Sequence, residues 1–167
     1  MSNVLTRAAA VAAAALLAIT GASVGATQAS AQQHKATPAC RLADLDLAIG
    51  QPDGEGSLIY PILFTNTTSH TCTLRGYPGV SVLDSRHRQI GTSAIRTGER
   101  VNTVSIAPDN TVTALIHTNT PDVVETNCRP TSTYVKVFPP NSFQAEQIRF
   151  RLQVCGQFEI SPVEASY

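Results

Sequence analysis

From residue 40 onward, apolar and polar side chains alternate in short runs of period two, broken by glycine, proline, asparagine and aspartate. In Leu42–Ile49, Leu45, Leu47 and Ile49 share one face, while Asp44 and Asp46 share the other. Ser57–Thr65 sets Leu58, Tyr60, Ile62 and Phe64 on one face and Ile59 and Leu63 on the other, which predicts a strand covered on both sides. Pro61 has no N–H for a ladder, so an edge or a bulge is expected there. Short strands follow at Thr71–Leu74 and Val80–Leu83, separated by the turn Gly76-Tyr77-Pro78-Gly79. Asp84–Arg88 reads as a polar loop. Val101–Ile106 and Thr111–Thr118 predict a hairpin around Ala107-Pro108-Asp109-Asn110. Tyr134–Phe138 is closed by Pro139-Pro140, and in Gln147–Val154 the residues Ile148, Phe150, Leu152 and Val154 alternate with Arg149, Arg151 and Gln153. Phe158 and Ile160 mark a last short strand. No segment after residue 31 carries a convincing period of 3.6, so the pattern predicts an all-β antiparallel sandwich or barrel.

The first residues break this pattern. Arg7 precedes an apolar run from Ala8 to Ile19, too short to span a bilayer, and Ala29-Ser30-Ala31 offers small residues for a signal peptidase. Residues 1–31 are therefore expected to be a cleavable secretory signal peptide, with Val24-Gly25-Ala26 a weaker cleavage point. Gln32–Ala39 is polar and reads as a flexible leader, and residues 40–162 as a single domain. Removing 31 of 167 residues leaves 136, enough for one core. The remaining chain keeps 11 basic and 12 acidic residues, a net charge of about −1. That balance offers nothing to hold nucleic acid by its phosphates, and no further apolar run is long enough for a membrane span.

Cys40, Cys72, Cys128 and Cys155 all follow the signal. An even number of cysteines in an exported chain implies two disulfides, with three connectivities open. Linking sequence neighbours, Cys40–Cys72 and Cys128–Cys155, is favoured, and each bridge would contribute about 3.5 kcal/mol through the loop it closes. A metal or redox site is disfavoured because no two cysteines stand at C-x-x-C spacing.

Catalytic patterns are missing: there is no G-x-S-x-G elbow, H-E-x-x-H or phosphate loop. His34, His70, His87 and His117 show no ligand spacing. Asp44 with Asp46, and Arg149 with Arg151 near Lys136, read as solvated sheet faces rather than an acid–base pair or a basic stripe. Cys155 falls in phase with the arginines, which places its bridge at a sheet rim unless a bulge shifts the register. Tyr77 at its turn reads as a plug for the end of the fold before it reads as a ligand anchor. Asn66-Thr67-Thr68 matches a glycosylation sequon.

The succession Thr37-Pro38-Ala39-Cys40, Asn66-Thr67-Thr68-Ser69, Cys72-Thr73-Leu74, Gly76-Tyr77-Pro78-Gly79-Val80 and Ile106-Ala107-Pro108 resembles the actinobacterial exported family catalogued as domain of unknown function 4232. The resemblance covers about residues 40–160. In two places the chain departs from it: Asp109 stands where a glycine is common after the proline, and His117 lies in a strand that often carries a tryptophan. The resemblance implies a secreted or wall-associated β-sandwich and carries over no catalytic residues. The combined expectation is an immunoglobulin-like, disulfide-stapled sandwich with no cofactor and no enzymatic activity. It is expected to act in the cell envelope or outside the cell, binding a protein or a cell-wall polymer. A secreted enzyme or metal carrier, its site assembled from distant strands, is the alternative.

Overall fold

The structure, a computed structural model, describes residues 36–54, 57–98, 100–122 and 127–165. The expected signal peptide at residues 1–31 and the first leader residues, 32–35, lie outside the described residues. Among the described residues eleven strands follow in order: β1 (Leu45–Ile49), β2 (Ser57–Asn66), β3 (Cys72–Arg75), β4 (Gly79–Leu83), β5 (Ile95–Arg96), β6 (Thr103–Ile106), β7 (Thr111–Asn119), β8 (Tyr134–Phe138), β9 (Glu146–Arg149), β10 (Phe158–Ile160) and β11 (Glu164–Ala165). The described residues contain no α-helix, and Leu42–Asp44 form a single 3-10 turn.

The strands make three sheets. The largest runs β1-β2-β7-β10-β5, with β11 also paired to β7; a second holds β3 and β6; a third runs β4-β8-β9. Every pairing is antiparallel except the short one between β10 and β5. The period-two alternation decides which side faces inward. Tyr60, Ile62 and Phe64 of β2 and Val112, Ala114 and Ile116 of β7 are buried, while their neighbours Ile59, Leu63 and Leu115 are half-buried. Val80 and Val82 of β4, Val135 and Val137 of β8, Leu74 of β3 and Ile106 of β6 join them in one core cluster. All three sheets thus share a core. Each of these large side chains removed from water contributes about 1.5–3 kcal/mol.

Pro61 sits where the β1–β2 ladder ends. Gly50 donates to the Pro61 carbonyl (2.8 Å), but the proline returns no N–H. The ladder resumes at Asp53 and Ile59, which exchange bonds of 3.0 and 2.9 Å, so Gln51 and Pro52 together face Tyr60. This is the expected bulge, carried on the strand opposite the proline.

The predicted hairpin around Ala107–Asn110 does not form. The turn closes (Asn110 N–H to the Ala107 carbonyl, 3.1 Å), yet β6 pairs with β3 and β7 with β2. The cause is Asn66. Its backbone carbonyl accepts from Asp109 N–H (2.9 Å), and its own N–H donates to the Asn110 carbonyl (3.0 Å). Captured this way, the turn becomes a corner between two sheets. Asp109 holds φ +61°, which explains why glycine suits that position; aspartate is among the few side chains that tolerate it.

The predicted strand Gln147–Val154 is regular only through β9. Beyond it the chain still runs antiparallel to residues 128–133, but Ser132 replaces part of the ladder with its side chain. Its Oγ donates to the Phe150 carbonyl (3.0 Å) and accepts from Leu152 N–H (3.0 Å). Pro130 removes a further donor nearby. The strict alternation is lost as a result. Val154 and Cys155 are both buried, so Cys155 does not share the outward face of Arg149 and Arg151.

Candidate functional site

The four cysteines form two bridges, Cys40–Cys72 with Cα atoms 5.0 Å apart and Cys128–Cys155 with Cα atoms 3.9 Å apart. The first clamps the segment before the 3-10 turn onto β3, where Cys40 N–H donates to the Thr73 carbonyl (2.9 Å). The second sits where the β8–β9 pairing direction extends backward, as a Cys128–Cys155 bridge pair. Thr118 braces it: its Oγ1 accepts from Cys155 N–H (2.9 Å) and donates to the Cys155 carbonyl (3.3 Å).

Of the other residues singled out in the sequence, Asp44 and His70 come together in the groove described below, and several of the rest make contacts within the fold. Asp44 leaves the strand that Asp46 belongs to; it lies in the 3-10 turn and its Oδ2 accepts from Arg41 N–H (2.8 Å). The predicted carboxylate pair on one strand face is therefore absent. Asp46 instead acts on Glu146 of β9, whose pKa is raised first by burial and then by the Asp46 charge. Lys136 lies over the Phe138 ring (4.8 Å), and Arg149 stands opposite Tyr134 rather than opposite Lys136. His87 stacks on Tyr134 (4.5 Å between centroids), with Nδ1 2.5 Å from Gln147 Oε1. His117 is half-buried, with Glu159 its cross-strand neighbour. His70 is exposed; His34 lies outside the described residues. Tyr77 is half-buried and donates its hydroxyl to the Gly98 carbonyl, with the Arg96 guanidinium 5.8 Å from its ring centroid, but its ring is not part of the core cluster. Asn66 of the sequon is 0 % exposed, closed to any glycan. Among the described residues no group of three or more His, Cys, Asp or Glu is placed to hold a metal, and no helix is long and apolar enough to cross a membrane.

A different place stands out. Phe143 is 100 % exposed, at the tip of the loop between β8 and β9. The loop is tightly built. Pro139 and Pro140 are buried, and Ser142 N–H donates to the Pro139 carbonyl (3.0 Å). Ser142 Oγ then reaches across Phe143, donating to the Gln144 carbonyl (2.9 Å) and accepting from Gln144 N–H (3.0 Å). Asn141, at φ +58°, donates through Nδ2 to the Arg75 carbonyl (3.1 Å) and ties the loop to β3.

Beside this tip runs an open groove of about 780 Å³. Its other wall is the segment from Pro38 to Asp44, fixed by Cys40–Cys72, by Thr73 N–H donating to the Pro38 carbonyl (2.9 Å), and by Thr67 N–H donating to the Asp44 carbonyl (2.9 Å). Arg41, Asp44, His70, Asn141 and Gln144 line it along with Phe143. Sequence reasoning missed this site. The available signal was an aromatic inside the turn Pro139-Pro140-Asn141-Ser142-Phe143-Gln144, out of phase with either strand.

The molecule is thus an all-β domain of antiparallel sheets closed by two disulfides. A family model for a domain of unknown function, DUF4232, matches residues 40–164, and the chain belongs to that family. No curated protein and no solved structure matches the chain.

Proposed function

We propose that this protein is an exported, non-catalytic binding module of immunoglobulin-like sandwich architecture. It works in the cell envelope or outside the cell and engages a protein or a cell-wall polymer through the groove beside Phe143. Export is supported by the apolar run Ala8–Ile19 ahead of Ala29-Ser30-Ala31, and by two disulfides, which persist in oxidising compartments. The sandwich reading is supported by one core lined from the six-stranded and three-stranded sheets. The observation that carries the functional reading is Phe143. Leaving a phenylalanine in water forgoes about 1.5–3 kcal/mol of burial, and this one is presented by a loop whose backbone is hydrogen-bonded on both sides of it. A rigid exposed aromatic beside a groove is the form of a binding anchor.

The test is affinity capture from cell-envelope fractions on the immobilised protein, with Phe143→Ala in parallel. The wild type is expected to retain a defined component that the variant releases, while both melt at the same temperature. Equal retention by the two proteins contradicts the reading.

A further inference from the structure

We infer that the groove beside Phe143 takes a neutral glycan, the Phe143 ring stacking on the apolar face of a sugar while the polar wall bonds its hydroxyls. The inference rests on the groove being the working surface of the domain.

The make-up of the groove separates this occupant from a protein. A protein interface is organised around a contiguous, desolvated apolar centre. Here Phe143 shares the lining with the smaller apolar side chains of Pro38, Ala39 and Leu42, and these are interspersed with the polar Arg41, Asp44, His70, Asn141 and Gln144. Among the described residues, the other large exposed apolar side chain, Ile95, belongs to β5 and is not part of the groove. One aromatic face in a lining of mixed polar and small apolar side chains matches a pyranose or furanose ring. Such a ring offers a C–H face to the negative quadrupole of the aromatic, and hydroxyls at its rim.

The donor and acceptor set agrees. Every sugar hydroxyl both donates and accepts. The amides of Asn141 and Gln144 also do both, Arg41 supplies donors only, and Asp44 accepts. Gln144 and Arg41 are exposed, so their heads can reach a ligand in the groove.

Charge decides between a neutral and an anionic polymer. Arg41 and Asp44 carry opposite charges on the same wall, and the chain without residues 1–31 keeps 11 basic and 12 acidic residues, a net charge of about −1. An acidic polymer gains no field from such a surface. The size adds to this: the groove volume falls within the usual few hundred to about 1,000 Å³ of ligand sites, room for a sugar ring.

The experiment is a titration of the ¹⁵N-labelled protein, followed by amide NMR shifts, with four neutral oligosaccharides: chitotetraose, a mannotetraose, a galactan tetrasaccharide and an arabinan tetrasaccharide. Polyglutamate is the acidic comparison. Saturable shifts at Arg41, His70 and residues 141–144 are expected with at least one neutral sugar and not with polyglutamate. Phe143→Ala should weaken that binding by about tenfold, the scale of one lost anchor. Phe143→Leu should weaken it nearly as much, because leucine keeps the bulk and lacks the aromatic face, whereas Phe143→Trp should retain it. Binding by Phe143→Leu equal to the wild type overturns the stacking. Silence at these residues with every neutral sugar, or shifts with polyglutamate instead, overturns the glycan. If the sugars are silent while Phe143→Ala still abolishes capture from the envelope fraction, the glycan falls and the groove stands. If capture is also unchanged, both fall.

Discussion

The side-chain amide of Asn66 donates to the backbone carbonyl of Ile106 across 2.9 Å, and this bond ties the end of β2 in the largest sheet to the end of β6 in the smallest. The same Nδ2 also donates to the His70 carbonyl (2.8 Å), while Oδ1 accepts from Thr68 N–H (2.9 Å) and Thr68 Oγ1 (2.8 Å). The backbone of Asn66 holds the Ala107–Asn110 corner through its two bonds to Asp109 and Asn110. A motif that reads as a glycosylation sequon is thus a buried junction between sheets.

Asn66→Ala is therefore expected to cost about 1–3 kcal/mol, because it removes the side-chain donor to the Ile106 carbonyl in a buried setting, whereas the carbonyl of the exposed His70 keeps the Thr68 hydroxyl as a donor. Urea unfolding monitored by circular dichroism measures it. A loss below about 0.5 kcal/mol, the range of ordinary surface changes, would show that the junction is not needed.

Each disulfide should contribute on its own. The bridges enclose sequence separations of 32 and 27 residues, so replacing either pair by alanines is expected to lower stability by about 3.5 kcal/mol through the freedom returned to the unfolded chain. Unreduced peptide mapping of the purified protein should recover Cys40 with Cys72 and Cys128 with Cys155. A crossed pair would place the neighbouring strands differently.

Arg129 holds the segment after β4 in place. Its guanidinium donates to the carbonyls of Ile90 (3.3 Å) and Thr92 (2.6 Å) and to Thr92 Oγ1 (3.0 Å), and it lies 5.2 Å from the Phe158 ring centroid. Burial lowers its pKa from the usual range. Gly91, at φ +69°, passes so close that a Cβ there would sit 2.9 Å from the arginine Nε. Arg129→Ala should accelerate hydrogen exchange at the Ile90 and Ala94 amides, which bond to Val82 and Val80, by roughly 10- to 100-fold. Exchange in β2 and β7 should change far less, and a uniform acceleration would indicate global destabilisation instead.

Glu146 gives a pH dependence of known sign. Burial, then the Asp46 charge, raise its folded pKa above the ordinary carboxylate value, so the protonated form suits the fold better and stability is lost as pH rises through that pKa. Glu146→Gln should accordingly melt higher than the wild type at neutral pH and match it in acid, where both side chains are uncharged. Thermal melts across that range provide the comparison, and a higher-melting wild type at neutral pH would reverse the assigned sign.

The strands that bury a face were legible because one physical rule generates them. In β2, β7 and β8 the inward positions Ile62, Phe64, Val112, Ile116, Val135 and Val137 alternate strictly with less buried neighbours. The pairing of cysteines close in sequence was legible for a related reason, since the pairing direction of β8 and β9 carries Cys128 to Cys155. What alternation does not encode is substitution of side chains for backbone. Asn66 turns an apparent hairpin into a corner, and Ser132 ends the regularity of the strand at β9. Asp44 likewise looks like a strand residue until its carboxylate is seen closing the 3-10 turn. The groove was hidden for a third reason. Its walls, Pro38–Asp44 and Asn141–Gln144, lie about 100 residues apart in the chain, and the core pattern is indifferent to an exposed phenylalanine.

The most direct test of Phe143 as the contact point is site-specific photo-crosslinking in cells that make the protein, with p-benzoylphenylalanine at position 143 and, as a control, at position 95 on β5. Both residues are exposed, Phe143 fully and Ile95 at 68 %. Light is expected to join the protein to an envelope component from position 143 and not from position 95. No adduct from position 143, or an equal adduct from both positions, would contradict the account.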